Sequence, residues 1–476
     1  MRLNVKPDNP EDAPRTVTMV GGGVAGMSAA CALAEAGYRV QFVERRSYLG
    51  GRASSYLHPG VNEVIDNCQH VLFGCCTNLI GFYRRIGVAD RIHWTSEMTM
   101  IEPGGRRSVL GPSILPAPMH GLPKLLSARA FSFADKMALA RAFRTLMRPV
   151  PSDSNESLAE WLKRNGQTDG AIDRFWRLVI ASALNADLDV IALPYAAKVI
   201  RELFMNSAQA GSMGMSTVPL SELYASSIEF LRTRGSSVHL NTSVESAEWD
   251  EEASQWSVTT RTGNLVSEFL IIALPFEAMQ KLLPNLPPAD HADTLAQKIE
   301  RFEHWPICSV HLWFDRKITD LDHAVLLDRE VHWMYNKGQM QPLRKTKGSY
   351  LELVVSASRS FASLTREQAI EQSVRELGEF FPEVGSAKLE KAALVKEVRA
   401  TFGVPPGIDA YRPFVLSPWP NCFMAGDWIA TDWPSTMESA SRSGHMAADA
   451  VCQSAGLSCT FLVPDLKPQG LMRFFG

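Results

Sequence analysis

The sequence TVTMVGGGVAGMSAACALAEAGYRVQFVE, residues 16–44, decides the fold. It begins with a short β-rich run at residues 16–20, and three glycines follow at once. A helical pattern of small residues occupies residues 24–36, Gly37 is placed to end it, and a second β-rich run covers residues 39–44. A strand, a helix and a strand in this order predict a β-α-β unit with parallel strands.

The glycines between the first strand and the helix have the spacing G-x-G-x-x-G. Gly21 permits the tight turn, Gly23 lets a pyrophosphate approach the backbone, and Gly26 lets the helix pack closely on the sheet. Val24 and Ala25 open the helix, whose free N–H groups and positive dipole end favour a phosphate. The motif predicts a dinucleotide site, and the alternative is a glycine-rich turn without a ligand.

The residues after the second strand extend this prediction. Glu44 ends that strand about 20 residues after the glycines, where a carboxylate binds the ribose and favours FAD or NAD over NADP. Arg45 follows it, and Gly50 and Gly51 allow a second close approach of the backbone to the cofactor. The planar guanidinium of Arg52 is suited to a phosphate. The alternative for this segment is a solvated basic loop.

The C-terminal part of the chain supplies a matching half. A strand predicted at residues 422–425 runs into Gly426 and Asp427, and a helix is predicted from about Thr436 to residue 454. A helix that starts near Thr436 would direct its positive end at a ring that becomes anionic on reduction. The alternative is that Glu438, in the first turn of this helix, is only a capping acid.

Composition excludes several classes of protein. The chain has 476 residues, 46% hydrophobic and 21% charged, which is ordinary for a globular protein. The chain has 48 Lys and Arg and 51 Asp and Glu, so its net charge is -3. A charge near zero gives no support for nucleic-acid binding by the chain as a whole. The eight cysteines contain no C-x-x-C pair, so we expect no metal site and reduced thiols in a cytosolic protein. No signal peptide and no membrane-spanning stretch are expected.

The rest of the chain is predicted to be mixed. Helical periodicity dominates residues 133–147 and 157–204. Further strands are predicted at residues 238–244, 255–260, 265–274, 309–315 and 349–356. The second half is therefore expected to hold a mixed sheet.

Together these motifs resemble the FAD-dependent amine oxidase and phytoene desaturase superfamily. More narrowly, the chain resembles the hydroxysqualene dehydroxylases, also called squalene-associated FAD-dependent desaturases. The segments that carry the narrower resemblance are DNCQH (66–70), VPLSEL (218–223), HW (332–333), LVVSAS (353–358), ATF (400–402), AGDW (425–428) and WPSTME (433–438).

The resemblance implies an α/β fold with two domains. A Rossmann-like FAD-binding domain is built from both chain ends, and an α+β substrate domain has a mixed sheet and a helical cap. The implied boundaries are 14–110, 216–280 and 396–460 for the FAD-binding parts, 111–215 for the helical cap, 281–395 for the substrate-domain sheet and 461–476 for a tail.

The resemblance also implies the residues that bind FAD. These are Gly21, Gly23, Val24, Ala25, Gly26, Glu44, Arg45, Gly51, Arg52, Asn67, Gln69, Val244, Gly426, Asp427, Thr436 and Met437. Residues 67–70 would lie beside the flavin ring. The family pattern has glycine where this chain has Cys68, whose side chain either crowds the ring or points away.

The reaction implied is the reduction of hydroxysqualene to squalene in squalene and hopanoid synthesis. Protonation lets the allylic hydroxyl leave as water, and hydride from N5 of the reduced flavin replaces it. His70 is the hypothetical proton donor, with Asp66 as the second candidate. The alternative is that both side chains satisfy backbone groups in a buried loop. Trp305, Trp313, Trp333 and Phe402 are candidates for the tunnel wall or for the core.

The apolar and basic stretch at residues 112–148 and the tail at 471–475 predict peripheral attachment to the inner face of the cell membrane. The alternative is that these residues only cover the substrate tunnel. Other readings of the chain remain a carotenoid-type desaturase or isomerase, an amine oxidase, and a non-catalytic flavoprotein partner of prenyl-coupling enzymes. The electron donor stays open, because no second glycine-rich fingerprint is present.

Overall fold

A computed structural model of the chain describes residues 14–342 and 347–475. The strands are β1 (Thr16–Val20), β2 (Arg39–Val43), β3 (Ser55–His58), β4 (Glu63–Asp66), β5 (Val71–Phe73), β6 (Ile92–Thr95), β7 (Met98–Ile101), β8 (Arg107–Leu110), β9 (Met213–Ser216), β10 (Ser237–His239), β11 (Val244–Asp250), β12 (Gln255–Thr260), β13 (Gly263–Ser267), β14 (Phe269–Ile272), β15 (His304–Phe314), β16 (His323–Leu326), β17 (Trp333–Asn336), β18 (Ser349–Ser356), β19 (Leu389–Phe402) and β20 (Cys422–Met424).

The α-helices are α1 (Val24–Glu35), α2 (Thr77–Arg85), α3 (Leu122–Ser127), α4 (Phe133–Leu146), α5 (Leu158–Arg164), α6 (Asp169–Ala171), α7 (Leu178–Leu184), α8 (Leu193–Ile200), α9 (Leu220–Arg232), α10 (Phe276–Leu282), α11 (Ala292–Ile299), α12 (Lys337–Met340), α13 (Arg359–Ser363), α14 (Arg366–Phe380) and α15 (Met437–Ser454). Two turns, Ile172–Arg177 and Arg201–Met205, are π-helical. Short 3₁₀ helices cover Ala89–Arg91, Met119–Gly121, Leu283–Asn285, Pro382–Ser386, Ile408–Ala410 and Gly470–Phe474.

The first sheet is parallel and joins strands from distant parts of the chain. Its order is β10-β2-β1-β14-β20, so the N-terminal β-α-β unit pairs with a strand near residue 270 and, beyond it, with one near residue 423. Met19 lies between Phe42 and Ile271, and Ile271 lies beside Phe423. The predicted Rossmann-like α/β unit built from both chain ends is confirmed.

Helices α1 and α15 pack against each other beside this sheet, because small residues let their backbones approach closely. A Cβ atom on Gly444 of α15 would lie 2.3 Å from the carbonyl oxygen of Ala25 in α1. The hydroxyl groups of Ser28 and Ser441 are hydrogen-bonded across the same contact, at 2.9 Å. The two ends of the chain are thereby held side by side.

The second large sheet has seven strands in the order β19-β15-β18-β17-β16-β7-β8. The β16–β7 pair is parallel and the other pairs are antiparallel, so the predicted mixed sheet is confirmed. Its buried face includes Val310, Leu312 and Leu353, which belong to one apolar cluster with Leu377 of α14. Strands β7 and β8 come from the segment 14–110 assigned above to FAD binding, and β19 crosses the expected boundary at residue 396.

Between β8 and β9 the chain is mainly helical, as predicted. Aromatic rings from α4 and the two π-helical turns pack there, with the centroids of Phe175 and Phe204 5.4 Å apart. No helix in the ranges 14–342 and 347–475 is long and apolar enough to cross a bilayer. The eight cysteines, all within those ranges, are free thiols.

Candidate active site

A cavity of about 1120 Å³ extends from the glycine motif into the helical region. Of the residues assigned above to FAD binding, all line it except Gly26. The cavity therefore brings together side chains and backbone from both ends of the chain.

The glycine turn provides the backbone space that a pyrophosphate requires. A Cβ atom on Gly23 would meet nothing within 4 Å, whereas one on Gly26 would lie 2.0 Å from the carbonyl oxygen of Gly21. Gly21 has a φ of +112° and donates its N–H to the carbonyl oxygen of Val43, at 2.9 Å. Gly23 thus faces the cavity, and Gly26 allows α1 to pack on the turn beneath it.

Glu44 lies at the end of β2 and holds the turn. Its Oε2 accepts a hydrogen bond from the N–H of Gly22, and its Oε1 accepts one from the N–H of Arg46, both at 2.7 Å. The carboxylate also lines the cavity beside Arg45 and Val244. Its remaining lone pairs can accept hydrogen bonds from ribose hydroxyl groups, as the FAD assignment requires.

Arg52 connects the N-terminal and C-terminal halves of the site. Its guanidinium forms an ion pair with Asp427 and donates to the carbonyl oxygen of Ala400, at 3.1 Å. Burial lowers the pKa of Arg52, but the Asp427 carboxylate more than offsets this and the pKa is raised. Arg52 thus fixes the Asp427 corner, and its contact with a phosphate stays a prediction.

The C-terminal corner is set by the loop between β20 and α15. Gly426 has a φ of +150° and donates its N–H to the hydroxyl oxygen of Ser443, at 2.8 Å. The hydroxyl of Ser435 donates to Asp427, at 2.5 Å, and Thr436 caps α15. The helix starts at the cavity, so its positive dipole end is available to an anionic ring.

A buried arginine that the motifs do not reveal supports this loop. Arg412 donates to the carbonyl oxygens of Trp433 at 2.6 Å, Asp427 at 2.9 Å and Ile429 at 2.5 Å. It also donates to the hydroxyl of Tyr195, at 2.6 Å. No spacing in the sequence distinguishes this arginine from a surface residue, because its partners lie on α8 and on the loop after β20.

Asp66 does not line the cavity, in contrast to the expectation that it is a catalytic candidate. It accepts hydrogen bonds from the hydroxyl of Ser55 and the N–H of Leu220, and it pairs with Lys337 at 2.6 Å. Burial alone would raise the pKa of Asp66, but Lys337 and the hydrogen bonds lower it to about 2. An ionised, fully bonded carboxylate has no proton to give, so Asp66 acts as an anchor for the segment 66–70.

His70 lines the cavity, but its geometry weighs against proton donation. Its Nδ1 lies 2.7 Å from the carbonyl oxygen of Cys68, and since a carbonyl only accepts, Nδ1 carries the proton. In the neutral ring, Nε2 then has a lone pair and no proton. Burial lowers the pKa of His70, which disfavours the second proton that donation from Nε2 requires.

Asn67, Cys68 and Gln69 complete this wall of the cavity. The Asn67 Oδ1 is buried without a hydrogen-bond partner among the described residues, so it is available to a bound ring system. Gln69 Oε1 accepts a hydrogen bond from Lys337, at 2.7 Å, which fixes the amide. The open space beside Gly23 suits the pyrophosphate of FAD, and the Asn67 amide and the Asp427 corner provide polar groups for its ring system. The residues present therefore fit FAD.

The far part of the cavity is apolar. Its walls include Leu122, Leu125, Phe143, Met147, Phe175, Val179, Leu203, Phe204, Met205, Trp333 and Tyr335. The Trp333 and Tyr335 rings are stacked with centroids 5.7 Å apart, and Trp333 Nε1 donates to the hydroxyl of Ser182, at 2.7 Å. Of the four aromatic candidates for the tunnel, only Trp333 lines the cavity, whereas Trp305, Trp313 and Phe402 are buried elsewhere.

Known proteins resemble this chain over most of its length. A 15-cis-phytoene desaturase of Synechococcus elongatus is 25% identical over 91% of this chain and 95% of its own. The 15-cis-phytoene desaturase of Glycine max is 24% identical over 94% of this chain and 81% of its own. A wild-type putrescine oxidase with bound putrescine shares the fold with a TM-score of 0.71, at 15% identity over 93% of this chain and 99% of its own.

The family described as flavin containing amine oxidoreductase matches residues 24–452, which include the cavity-lining residues from Val24 to Ala440. FAD is therefore the cofactor, and the chain is an FAD-dependent oxidoreductase. The chain belongs to the flavin-containing amine oxidoreductase family.

Proposed function

We propose that this protein reduces hydroxysqualene, or a similar C30 allylic alcohol, to the hydrocarbon. The observation that carries the proposal is the single cavity that joins the dinucleotide end to a long apolar part. A flexible isoprenoid chain fits such a space, since its only polar group is the hydroxyl that must reach the cofactor. The named relatives, which are phytoene desaturases, support an apolar isoprenoid substrate.

Bound FAD, in its reduced form, supplies the hydride for this reaction. The apolar walls orient the chain and exclude water, which otherwise competes for a carbocation. The stacked Trp333 and Tyr335 rings belong to the cavity wall, and an aromatic ring stabilises a nearby positive charge by roughly 0.5–2 kcal/mol.

The test is anaerobic. Purified yellow protein is reduced and mixed with hydroxysqualene, and flavin reoxidation is followed by absorbance while squalene is measured by gas chromatography. We expect one squalene per flavin reoxidised. Flavin that stays reduced, with no squalene, would refute the proposal.

A second candidate is a carotenoid-type desaturase, which the named relatives favour. It runs the flavin in the opposite direction. Oxidised protein incubated with phytoene and an electron acceptor would then produce new conjugated double bonds, visible as absorbance at longer wavelengths. Squalene from hydroxysqualene without such a product separates the two candidates.

We further propose that the cavity receives its substrate from the inner face of the cell membrane, beside prenyl-coupling enzymes. Ile114, Phe133 and Phe474 are exposed by 102%, 79% and 82%. The tail is fastened to the cavity rim, because Leu471 donates its N–H to the carbonyl oxygen of Ala117, at 2.9 Å. Residues 118–122 of the same segment line the cavity. Exposed apolar side chains beside a tunnel rim are suited to insertion into a headgroup layer.

Replacement of Ile114, Phe133 and Phe474 together by serine is expected to reduce binding to anionic phosphatidylglycerol vesicles about 100-fold, because partial burial of each side chain contributes roughly 1 kcal/mol. The measurement is flotation with vesicles. The matched control replaces Leu57, Val266 and Leu457, which are exposed elsewhere, by serine. Equal flotation of the two triple variants would refute this docking face.

A further inference from the structure

The reaction proposed above needs an acid, and the structure offers one that the motifs do not indicate. Glu202 lines the cavity from the π-helical turn Arg201–Met205. Such turns insert an extra residue into a helix and are frequent at functional sites. The next three residues, Leu203, Phe204 and Met205, also line the cavity, so this turn contributes both an acid and apolar side chains to the wall.

Glu202 lies near the expected flavin end of the cavity. Lys198, one turn before it, stands 4.9 Å from the ring centroid of Trp433, three residues ahead of the helix cap Thr436. The turn that carries Glu202 therefore lies next to the C-terminal segment that lines the cofactor end of the cavity.

The cations nearest to Glu202 are engaged with other groups. Lys198 pairs with Asp465, at 3.5 Å. Arg201 donates to the carbonyl oxygens of Leu146 and Phe475, both at 3.0 Å. Among the described residues no group donates a hydrogen bond to Glu202 Oε2, which is buried.

This environment favours the neutral carboxylic acid. Burial raises the pKa of Glu202, Asp465 raises it further, and Lys198, the Asn206 side chain and Arg201 oppose the rise only in part. Other carboxyl groups of the wall have partners close by. Glu277 Oε2 also accepts no hydrogen bond from the described residues, but the Nε2 atom of His304 lies 3.7 Å from it. Asp427 is ion-paired with Arg52, and Glu438 accepts hydrogen bonds from Asn78 and Leu79 at the start of α2.

We propose that Glu202 is the proton donor that lets the allylic hydroxyl leave as water. This inference rests on the proposed function. The Glu202 proton moves to the hydroxyl oxygen, and the C–O bond breaks with its electron pair on oxygen. Water departs, the allylic carbon accepts hydride from reduced FAD, and the Glu202 carboxylate regains a proton from solvent. The sum converts alcohol, one proton and one hydride into hydrocarbon and water.

The test compares Glu202→Gln, Glu202→Asp and the matched control Glu229→Gln, which changes an exposed glutamate of α9. We expect E202Q to form squalene about 100-fold more slowly or worse, as loss of a general acid does. E202D should keep activity within about tenfold, because it retains an acid. The wild-type rate should fall as pH rises through the raised pKa of Glu202. FAD content, read from flavin absorbance, verifies that each variant is folded.

A binding measurement gives a readout independent of turnover. The probe is a C30 isoprenoid amine whose ammonium group replaces the hydroxyl. At mildly acidic pH its binding should convert neutral Glu202 to the carboxylate and release one proton, measured by calorimetry in buffers of different ionisation enthalpy. E202Q should release none.

The outcomes separate the two proposals. Wild-type protein that makes no squalene overturns the proposed function, and the role of Glu202 falls with it. Squalene formation by E202Q at the wild-type rate, or equal proton release by E202Q and wild type, overturns the role of Glu202 alone.

Discussion

Lys337→Met is expected to lower the free energy of unfolding by about 3–5 kcal/mol, the cost of removing one partner from a buried ion pair. Lys337 is only 1% exposed. Its Nζ lies 2.6 Å from Asp66, 2.7 Å from Gln69 Oε1 and 3.5 Å from Glu352. Methionine keeps the volume of the side chain but leaves two buried carboxyl groups without their cation.

The pH dependence gives this prediction a second readout. In the wild type the pKa of Asp66 is lowered to about 2, so its stabilising contribution is present above the unfolded pKa of about 3.9 and is lost as pH falls towards 2. Burial raises the pKa of Glu352. Without Lys337 both carboxyl groups should take up protons more readily in the folded state. The difference in stability between variant and wild type should therefore shrink as pH is lowered from neutral.

Urea unfolding followed by tryptophan fluorescence at several pH values measures both effects. The matched control is Lys124→Met, which removes an exposed pair with Glu97 at 3.1 Å. That change is expected to cost at most about 1 kcal/mol. Equal effects of the two substitutions would contradict the role of Lys337 as the buried partner of Asp66.

Gly23→Ala is expected to lower the affinity for FAD about tenfold or more, or to abolish FAD binding, while the protein stays folded. Gly23 has a φ of -76°, which alanine adopts freely, and its Cβ would meet nothing in the protein within 4 Å. The added methyl group would instead occupy the space that the pyrophosphate needs. This predicts a colourless or easily bleached protein of nearly unchanged apo stability.

Gly26→Ala is the contrasting variant of the same turn. Its Cβ would lie 2.0 Å from the Gly21 carbonyl oxygen, so α1 must shift on the sheet. Overpacking of this kind costs about 1–3 kcal/mol, and we expect a lower melting temperature of the apoprotein together with loss of FAD. Differential scanning calorimetry and flavin absorbance distinguish the two variants. Normal flavin content in Gly23→Ala would contradict the placement of the pyrophosphate.

Local patterns predicted the parts of the fold that depend on neighbouring residues. The strand Thr16–Val20 and the strand Ser349–Ser356 have the predicted bounds, and α1 ends within one residue of its expected end. The strand predicted at residues 238–244 is instead two strands in different sheets. Asn241 adopts a φ of +55° between them, a left-handed conformation that ends a strand and that its sequence neighbours do not reveal.

The residues of the site also divide into those that the sequence predicts and those that it does not. The glycine motif, Glu44 and the Gly426-Asp427 corner were predictable, because each belongs to a contiguous segment with a mechanism of its own. Lys337 was not, since it meets Asp66 across 271 residues of sequence. The role proposed for Glu202 was not predictable either. It depends on the burial of the carboxyl group and on the contacts of Lys198 and Arg201 with other groups, which only the folded chain determines.

The order of strands in the parallel sheet also sets when the flavoprotein can mature during biosynthesis. While a nascent chain is shorter than about 424 residues, β14 has an unpaired edge and the cofactor cavity lacks its C-terminal half. At about 5–20 residues per second the ribosome needs roughly 20–80 s to proceed from β2 to β20. The complete coenzyme site therefore cannot form before β20 has been synthesised. Until then the unpaired edge depends on chaperones or on rapid synthesis to avoid aggregation.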